Sequence, residues 1–219
     1  MESVARGGTR WKRFALVMVP SVAATAAIGI GLAQGALAAS FAVSGQEFKV
    51  RAGYLDGTGF AQYGSVNQGY ESPDSDKKVA RPVAVSSFKT ALIKDMCQSV
   101  VTDVPILGKI TLQLKAGEGN KEVRAENLYL DISDLKADAE FRDIEIGVAA
   151  KDTAESKGGK GPEIKEGERI KPNGFAQQAD RAILTGVQQR AWATTAGTFK
   201  LGGLKMSLHR GDGPKVECY

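Results

Sequence analysis

Apolar and polar side chains alternate in run after run of this chain, and a period of two confines those runs to extended strands with one wet face and one dry face. Ile110, Leu112, Leu114 and Ala116 alternate with Lys109, Thr111, Gln113 and Lys115. Leu128, Leu130 and Ile132 alternate with Asn127, Tyr129 and Asp131, and Leu135, Ala137, Ala139 and Phe141 alternate with Lys136, Asp138, Glu140 and Arg142. After Arg142-Asp143 the phase slips, so that Ile144, Ile146 and Val148 become the apolar set. A slip of one residue sends side chains to the opposite face, which predicts a bulge or bend there. Phe199, Leu201, Leu204, Met206 and Leu208 repeat the pattern around a kink at Gly202-Gly203, and Val216 and Cys218 are expected in a last short strand.

The alternation predicts an all-β fold, either a curved one-sided sheet or a β-sandwich. Composition permits helix over Ser87–Val101 and Gln177–Trp192, although Val83, Val85, Gly186 and Thr194-Thr195 argue for extended chain. Gln68–Lys78 and Lys151–Gly174 are rich in Gly, Lys, Ser and acidic residues and poor in apolar ones. Both are expected to be loops with too little apolar surface to offset their ordering entropy, and the longer one, about 151–174, is read as flexible.

The amino-terminal segment has a different character. Arg6, Arg10, Lys12 and Arg13 precede an uncharged stretch from Phe14 to Ala33, which ends at Ala36-Leu37-Ala38-Ala39. This is the layout of a secretory signal cleaved after Ala38 or Ala39, and the stretch is also long enough to remain as a membrane anchor. Residues 1–38 are therefore read as signal peptide or anchor, and 39–219 as one exported, extracytoplasmic domain, secreted or anchored to the membrane. Of the 29 basic and 25 acidic residues, four basic and one acidic lie in residues 1–38. The remainder is close to neutral, so the basic pI of the whole chain carries no argument for nucleic acid. In an oxidising compartment the only two cysteines, Cys97 and Cys218, are expected to bond.

Several stretches together resemble a known family. They are Cys97-Gln98-Ser99, Pro105-Ile106-Leu107-Gly108, Ala125-Glu126-Asn127-Leu128, Gly174 to Asp180, Ala191 to Phe199, and the terminal Glu217-Cys218-Tyr219. The chain resembles exported actinobacterial proteins of unknown function, some of which carry an automatic cholesterol esterase label. The resemblance covers nearly the whole chain. It implies an envelope location and β-rich architecture, and brings no catalytic residues with it.

The residues themselves give a hydrolase little support. There is no Gly-x-Ser-x-Gly elbow, and the single histidine, His209, is followed by Arg210 and a Gly211-Asp212-Gly213 turn, the setting of a solvated residue at a strand end. One His and two Cys without close spacing do not make a zinc site. For calcium, Asp131 and Asp134 around an expected turn, and Asp143 with Glu145, lack the EF-hand loop. No cofactor is implied.

What remains is the dry face. Leu128, Leu130, Ile132, Phe141 and Trp192 are the candidates for an apolar groove, with core packing the competing role for Trp192. A one-sided sheet must cover its dry face with another layer, a lipid or a partner chain. The sequence thus points to a non-enzymatic envelope protein, structural or lipid-binding, with a membrane, an envelope protein or a second copy as partner. A secreted lipid-ester hydrolase is the alternative.

Overall fold

The computed structural model describes residues 43–219. The basic cluster, the uncharged stretch and the expected cleavage boundary lie outside the described residues. From Ala42 onward the chain forms one compact unit, built from nine strands: β1 Phe48–Tyr70, β2 Lys78–Lys94, β3 Met96–Val104, β4 Gly108–Ala116, β5 Val123–Arg142, β6 Glu145–Ala149, β7 Phe175–Thr195, β8 Thr198–Leu201 and β9 Lys205–Arg210. The only helical turns among the described residues are two short 3-10 pieces, Ala150–Thr153 and Glu155–Lys157. No helix among them is long and apolar enough to cross a membrane.

The all-β expectation holds, in its curved one-sided form. Ser87–Val101 and Gln177–Trp192 lie in strands rather than helices. All nine strands belong to one sheet, and four of them close it into a barrel. Strand β1 pairs with β2, β2 with β5, β5 with β7, and β7 with β1 again, every pair antiparallel. The stagger of this ring can be read from the register. Gly64 faces Ala84, Ala84 faces Ile132, Ile132 faces Ala191 and Ala191 faces Phe48, so one circuit returns to β1 sixteen residues before it began.

A stagger that large over four strands demands steep tilt and strong coiling. Laid straight, the 23 residues of β1 would extend about 75 Å, far beyond a domain of this size, so the strand must wrap the barrel. Gly59 and Gly186 provide the bends. Each has φ +60° and sits where the pairing skips a residue, a conformation that side-chain-bearing residues rarely adopt. Strand β5 adds register shifts between Asp131 and Asp134 and between Lys136 and Asp138.

The dry faces meet inside the barrel. Leu55, Phe60, Phe88, Ile93, Val123, Leu128, Leu130, Ile132, Leu184 and Val187 are buried in one cluster. Phe60 stacks between Phe88 and Phe141, with ring centroids 5.4 and 5.2 Å away. Room for the Phe88 ring comes from Gly57, whose Cβ, were there one, would fall 2.2 Å from Phe88 Cδ1.

Beyond the barrel the sheet continues as a flange. Lys49–Arg51 of β1 pairs with Cys97–Ser99 of β3, and β4 and β9 extend the sheet outward. The carboxyl-terminal segment lies over one face of it. Thr111 Oγ1 donates to Gly211 O at 2.6 Å, Gln113 Nε2 to Val216 O at 3.2 Å, and the Cys218 amide to Ser99 Oγ at 3.1 Å. Cys97 and Cys218 are disulfide-bonded, with Cα atoms 5.7 Å apart. Lys49 reinforces the contact by pairing with Glu217 at 2.9 Å.

Two local expectations are corrected. Val216 and Cys218 form no strand, since Val216 and Glu217 donate their amides back to Gly213 O in a turn. Asp131 and Asp134 flank no turn, because β5 runs through them with its register shifts. The phase slip at Arg142-Asp143 is a bend, as expected, with Asp143 at φ +53° between β5 and β6.

Gly57→Ala should cost about 1–3 kcal/mol, the range for overpacking, because its methyl meets the Phe88 ring. A lowered thermal midpoint relative to wild type checks it. Cys218→Ser should cost up to about 4–5 kcal/mol by releasing a loop of about 120 residues in the unfolded chain. Thermal unfolding without reductant measures this, and non-reducing peptide mapping should recover the joined Cys97 and Cys218 peptides.

Candidate functional site

Three places in the fold bring chemistry-bearing or ligand-sized features together. The first is the barrel interior, where a cavity of about 160 Å³ is lined by Phe60, Phe88, Leu130, Ile132, Phe141 and Leu184, among others. A few polar groups line it too. Gln62 Nε2 donates to Ser86 Oγ at 2.8 Å, and Gln189 contributes a third side chain. A narrower space of about 30 Å³ adjoins it, sharing Leu55, Leu130, Val187 and Gln189 and reaching Val50, Met96, Gln98 and Phe199.

The strands carry this lining out of the barrel. Gln98 faces both Val50 and Leu114, and the next residues on the same side of the flange are Val100, Thr102 and Val104 on β3 and Leu112 and Ile110 on β4. They form a cleft of about 590 Å³ together with Leu107, Leu208, His209 and Arg210. The apolar face of β9 is open, with Met206 and Leu208 64 % and 71 % exposed. The carboxyl-terminal segment covers the other face only.

Of the five groove candidates, the structure brings four together. Leu128, Leu130 and Ile132 are buried in the barrel, and Phe141 packs against them. Trp192 belongs elsewhere. It sits half-buried on the outer wall, against Tyr63, Val83, Val85, Tyr129, Ala150 and Ala176, with the Arg81 guanidinium carbon 4.1 Å from its ring centroid. Trp192 and Leu130 lie near each other on paired strands, so only the sense of each side chain through the sheet separates them.

That outer cluster lies under the segment joining β6 to β7. The sequence reads 151–174 as short of packing, yet the chain here is held by anchors. Thr153, Ala154, Gly161 and Pro162 are buried, and Ile164 and Ile170 pack on the cluster. Lys165 Nζ lies 3.3 Å from Asp131 and 3.4 Å from Glu168, whose side chains are 4 % and 2 % exposed. Asn67 Nδ2 donates to Asp131 Oδ2 at 2.9 Å, and the Tyr129 hydroxyl donates to Glu163 O. Two buried carboxylates thus share one ammonium.

Could this cluster perform acid–base chemistry? Burial raises the Tyr63 phenol far above its ordinary value, and the neighbouring Glu168 and Asp131 charges act in the same direction. Burial likewise pushes Tyr129 up to about 12, helped by Glu163 and Glu168. Both phenols stay protonated near neutral pH and neither can act as a base. The arrangement fits a latch that holds the segment to the wall.

The third place is on β9. Ser207 Oγ and His209 Nε2 are 2.9 Å apart, two residues along one strand face. The sequence reading weighed His209 alone and missed Ser207; spacing of two on an alternating strand was the available signal. His209 has no carboxylate partner among the described residues. A further cleft of about 540 Å³, lined by Arg51, Asp95, Lys115 and Glu118, carries charges of both signs. No group of three or more His, Cys, Asp or Glu among the described residues could hold a metal.

Residues 44–219 match the model of a family described as a family of unknown function, DUF6230, and the chain belongs to that family. No curated protein and no solved structure matches the chain.

Lys165→Met should lower stability by several kcal/mol, because Asp131 and Glu168 lose the cation they share. The loss should be local at first. Hydrogen exchange should speed up at the Val66 amide, which donates to Arg169 O across the latch, before the barrel amides change.

Proposed function

We propose that this family member is a non-catalytic binder of an apolar chain or ring, working outside the cytoplasm. The observation that carries the reading is the continuity of one apolar strip, from the barrel cavity past Gln98 and Leu114 to the open flange. Export is supported by the uncharged stretch Phe14–Ala33 and by the disulfide, which suits an oxidising compartment.

Size narrows the ligand. A dry cavity of about 150 Å³ lined by Leu, Ile and Phe holds a benzene ring, so the barrel cavity of about 160 Å³ takes a ring or the end of an alkyl chain. A whole acyl chain needs more. The flange cleft of about 590 Å³ falls within the usual range of ligand pockets, about 300–1,000 Å³. A lipid would therefore place its tail tip inside the barrel and the rest along the flange. Each buried methylene contributes about 0.8 kcal/mol, so micromolar binding, about 8 kcal/mol, needs about ten of them buried along the cavity and the flange together.

One observation favours a second reading. The Ser207–His209 contact at 2.9 Å has the donor and base of a hydrolytic pair. Against it, no carboxylate among the described residues orients the imidazole.

Ala137 lines the cavity and is half-buried, so Ala137→Phe should fill the space without introducing a charge. Wild type should take up a fluorescent fatty acid, and Ala137→Phe should lose uptake at least about tenfold while melting within a few degrees of wild type. Uptake unchanged in a folded Ala137→Phe protein overturns the binding reading. Leu130→Asp should instead unfold the domain, because Leu130 is buried inside the closed barrel. Ester cleavage by wild type that is lost in folded Ser207→Ala and His209→Ala variants would replace the binder with a hydrolase.

A further inference from the structure

We infer that the β3–β4–β9 flange docks on a lipid surface, with the Ile106-Leu107 tip of the β3–β4 hairpin entering the boundary between headgroups and acyl chains. The tip itself starts the argument. Leu107 N donates to Val104 O at 3.1 Å across Pro105-Ile106, and Ile106 has φ +73°. Proline second and a positive φ third are the marks of a type II turn, whose third position calls for Gly or Asn.

Here a β-branched residue occupies it, fully exposed at 105 %, beside a Leu107 exposed at 54 %. A bulky residue in the left-handed region is strained. The fold gains nothing visible in return, since the side chain touches no core. An apolar group held out into water at a conformational cost is explained by something outside the chain that buries it.

The surroundings fit a bilayer interface. Behind the tip, Val104, Ile110, Leu112, Leu208 and Met206 continue the apolar face on the side that the carboxyl-terminal segment leaves bare. On the bare face the register puts Arg210 opposite Ile110, with no ion pair among the described residues, whereas Lys109, on the face that the tail covers, pairs with Asp212 at 2.7 Å. An apolar wedge with a cation on its own face is the combination that interfacial binding uses.

The choice of lipid over a second copy rests on the uptake reading, because the same strip leads into the barrel cavity.

The test uses the protein in the processed form in which it accumulates, with vesicles of phosphatidylcholine mixed with phosphatidylglycerol. Leu107→Trp should be quenched by brominated acyl chains, a readout that a separate anchor cannot supply. The pair Ile106→Asp with Leu107→Asp should lose vesicle partition about tenfold or more. Ile106→Gly, which removes the strain, should melt higher than wild type yet partition more weakly. Ala137→Phe should bind vesicles as wild type does, which separates docking from uptake. Absence of bromolipid quenching, or equal partition of wild type and the Asp pair, overturns the inference. A wild-type dimer that the Asp pair converts to monomer, without any lipid effect, would assign the face to a second copy.

Discussion

The pairing of β1 with both β2 and β7 closes the sheet, and most of the architecture follows from that closure. A sheet with one apolar face has to cover it, and this chain covers it largely by curling four strands around it. Long strands follow, because a ring of four with a sixteen-residue stagger encloses space only if each strand wraps it obliquely. Glycine follows too. At Gly57 the strand must pass against the face of Phe88, and at Gly59 and Gly186 it must bend.

The closure is incomplete in one direction, and the candidate site lies there. At Lys49–Arg51 strand β1 keeps β7 on one edge and takes β3 in place of β2 on the other, which carries the sheet past the barrel rim. The wet side of this flange is polar, with Ser99, Thr111 and Gln113, and the disulfide-tethered tail supplies their hydrogen-bond partners. No described element covers the dry side. The tail thus makes the two faces inequivalent: it ties one down and leaves the barrel's own lining exposed on the other.

A second, smaller cluster sits outside the barrel, and its logic is electrostatic as well as apolar. Asp131 has its neighbours Leu130 and Ile132 turned inward, so its carboxylate points to the outer wall. Left there alone it would be a buried charge of high cost. Lys165 and Asn67 offset that cost and in doing so order a segment that has few apolar residues of its own. This is why composition misjudged 151–174. The ordering entropy is met by contacts with the wall, from residues such as Tyr63, Val83 and Val85 that are distant in sequence.

Alternation in the sequence was enough to mark β4, β5, β6, β8 and β9 and the wet or dry sense of their side chains, because period two is a property of the backbone itself, whereas β1 showed no such run and composition left parts of β2, β3 and β7 open to helix. Two cysteines and no third were likewise enough to name the Cys97–Cys218 bond. Leu128, Leu130, Ile132 and Phe141 could be read as one apolar set for the same local reason. Trp192 could not be assigned, since an aromatic ring among small residues suits either side of a sheet, and only the register of β7 against β5 and β1 turns it outward. Nor could the last strand be judged from two apolar residues, Val216 and Cys218, whose backbone is claimed by Gly213. Barrel against sandwich and covered face against bare face were decided by which strands become neighbours. That choice depends on pairings between residues far apart in the chain, to which a local pattern is blind.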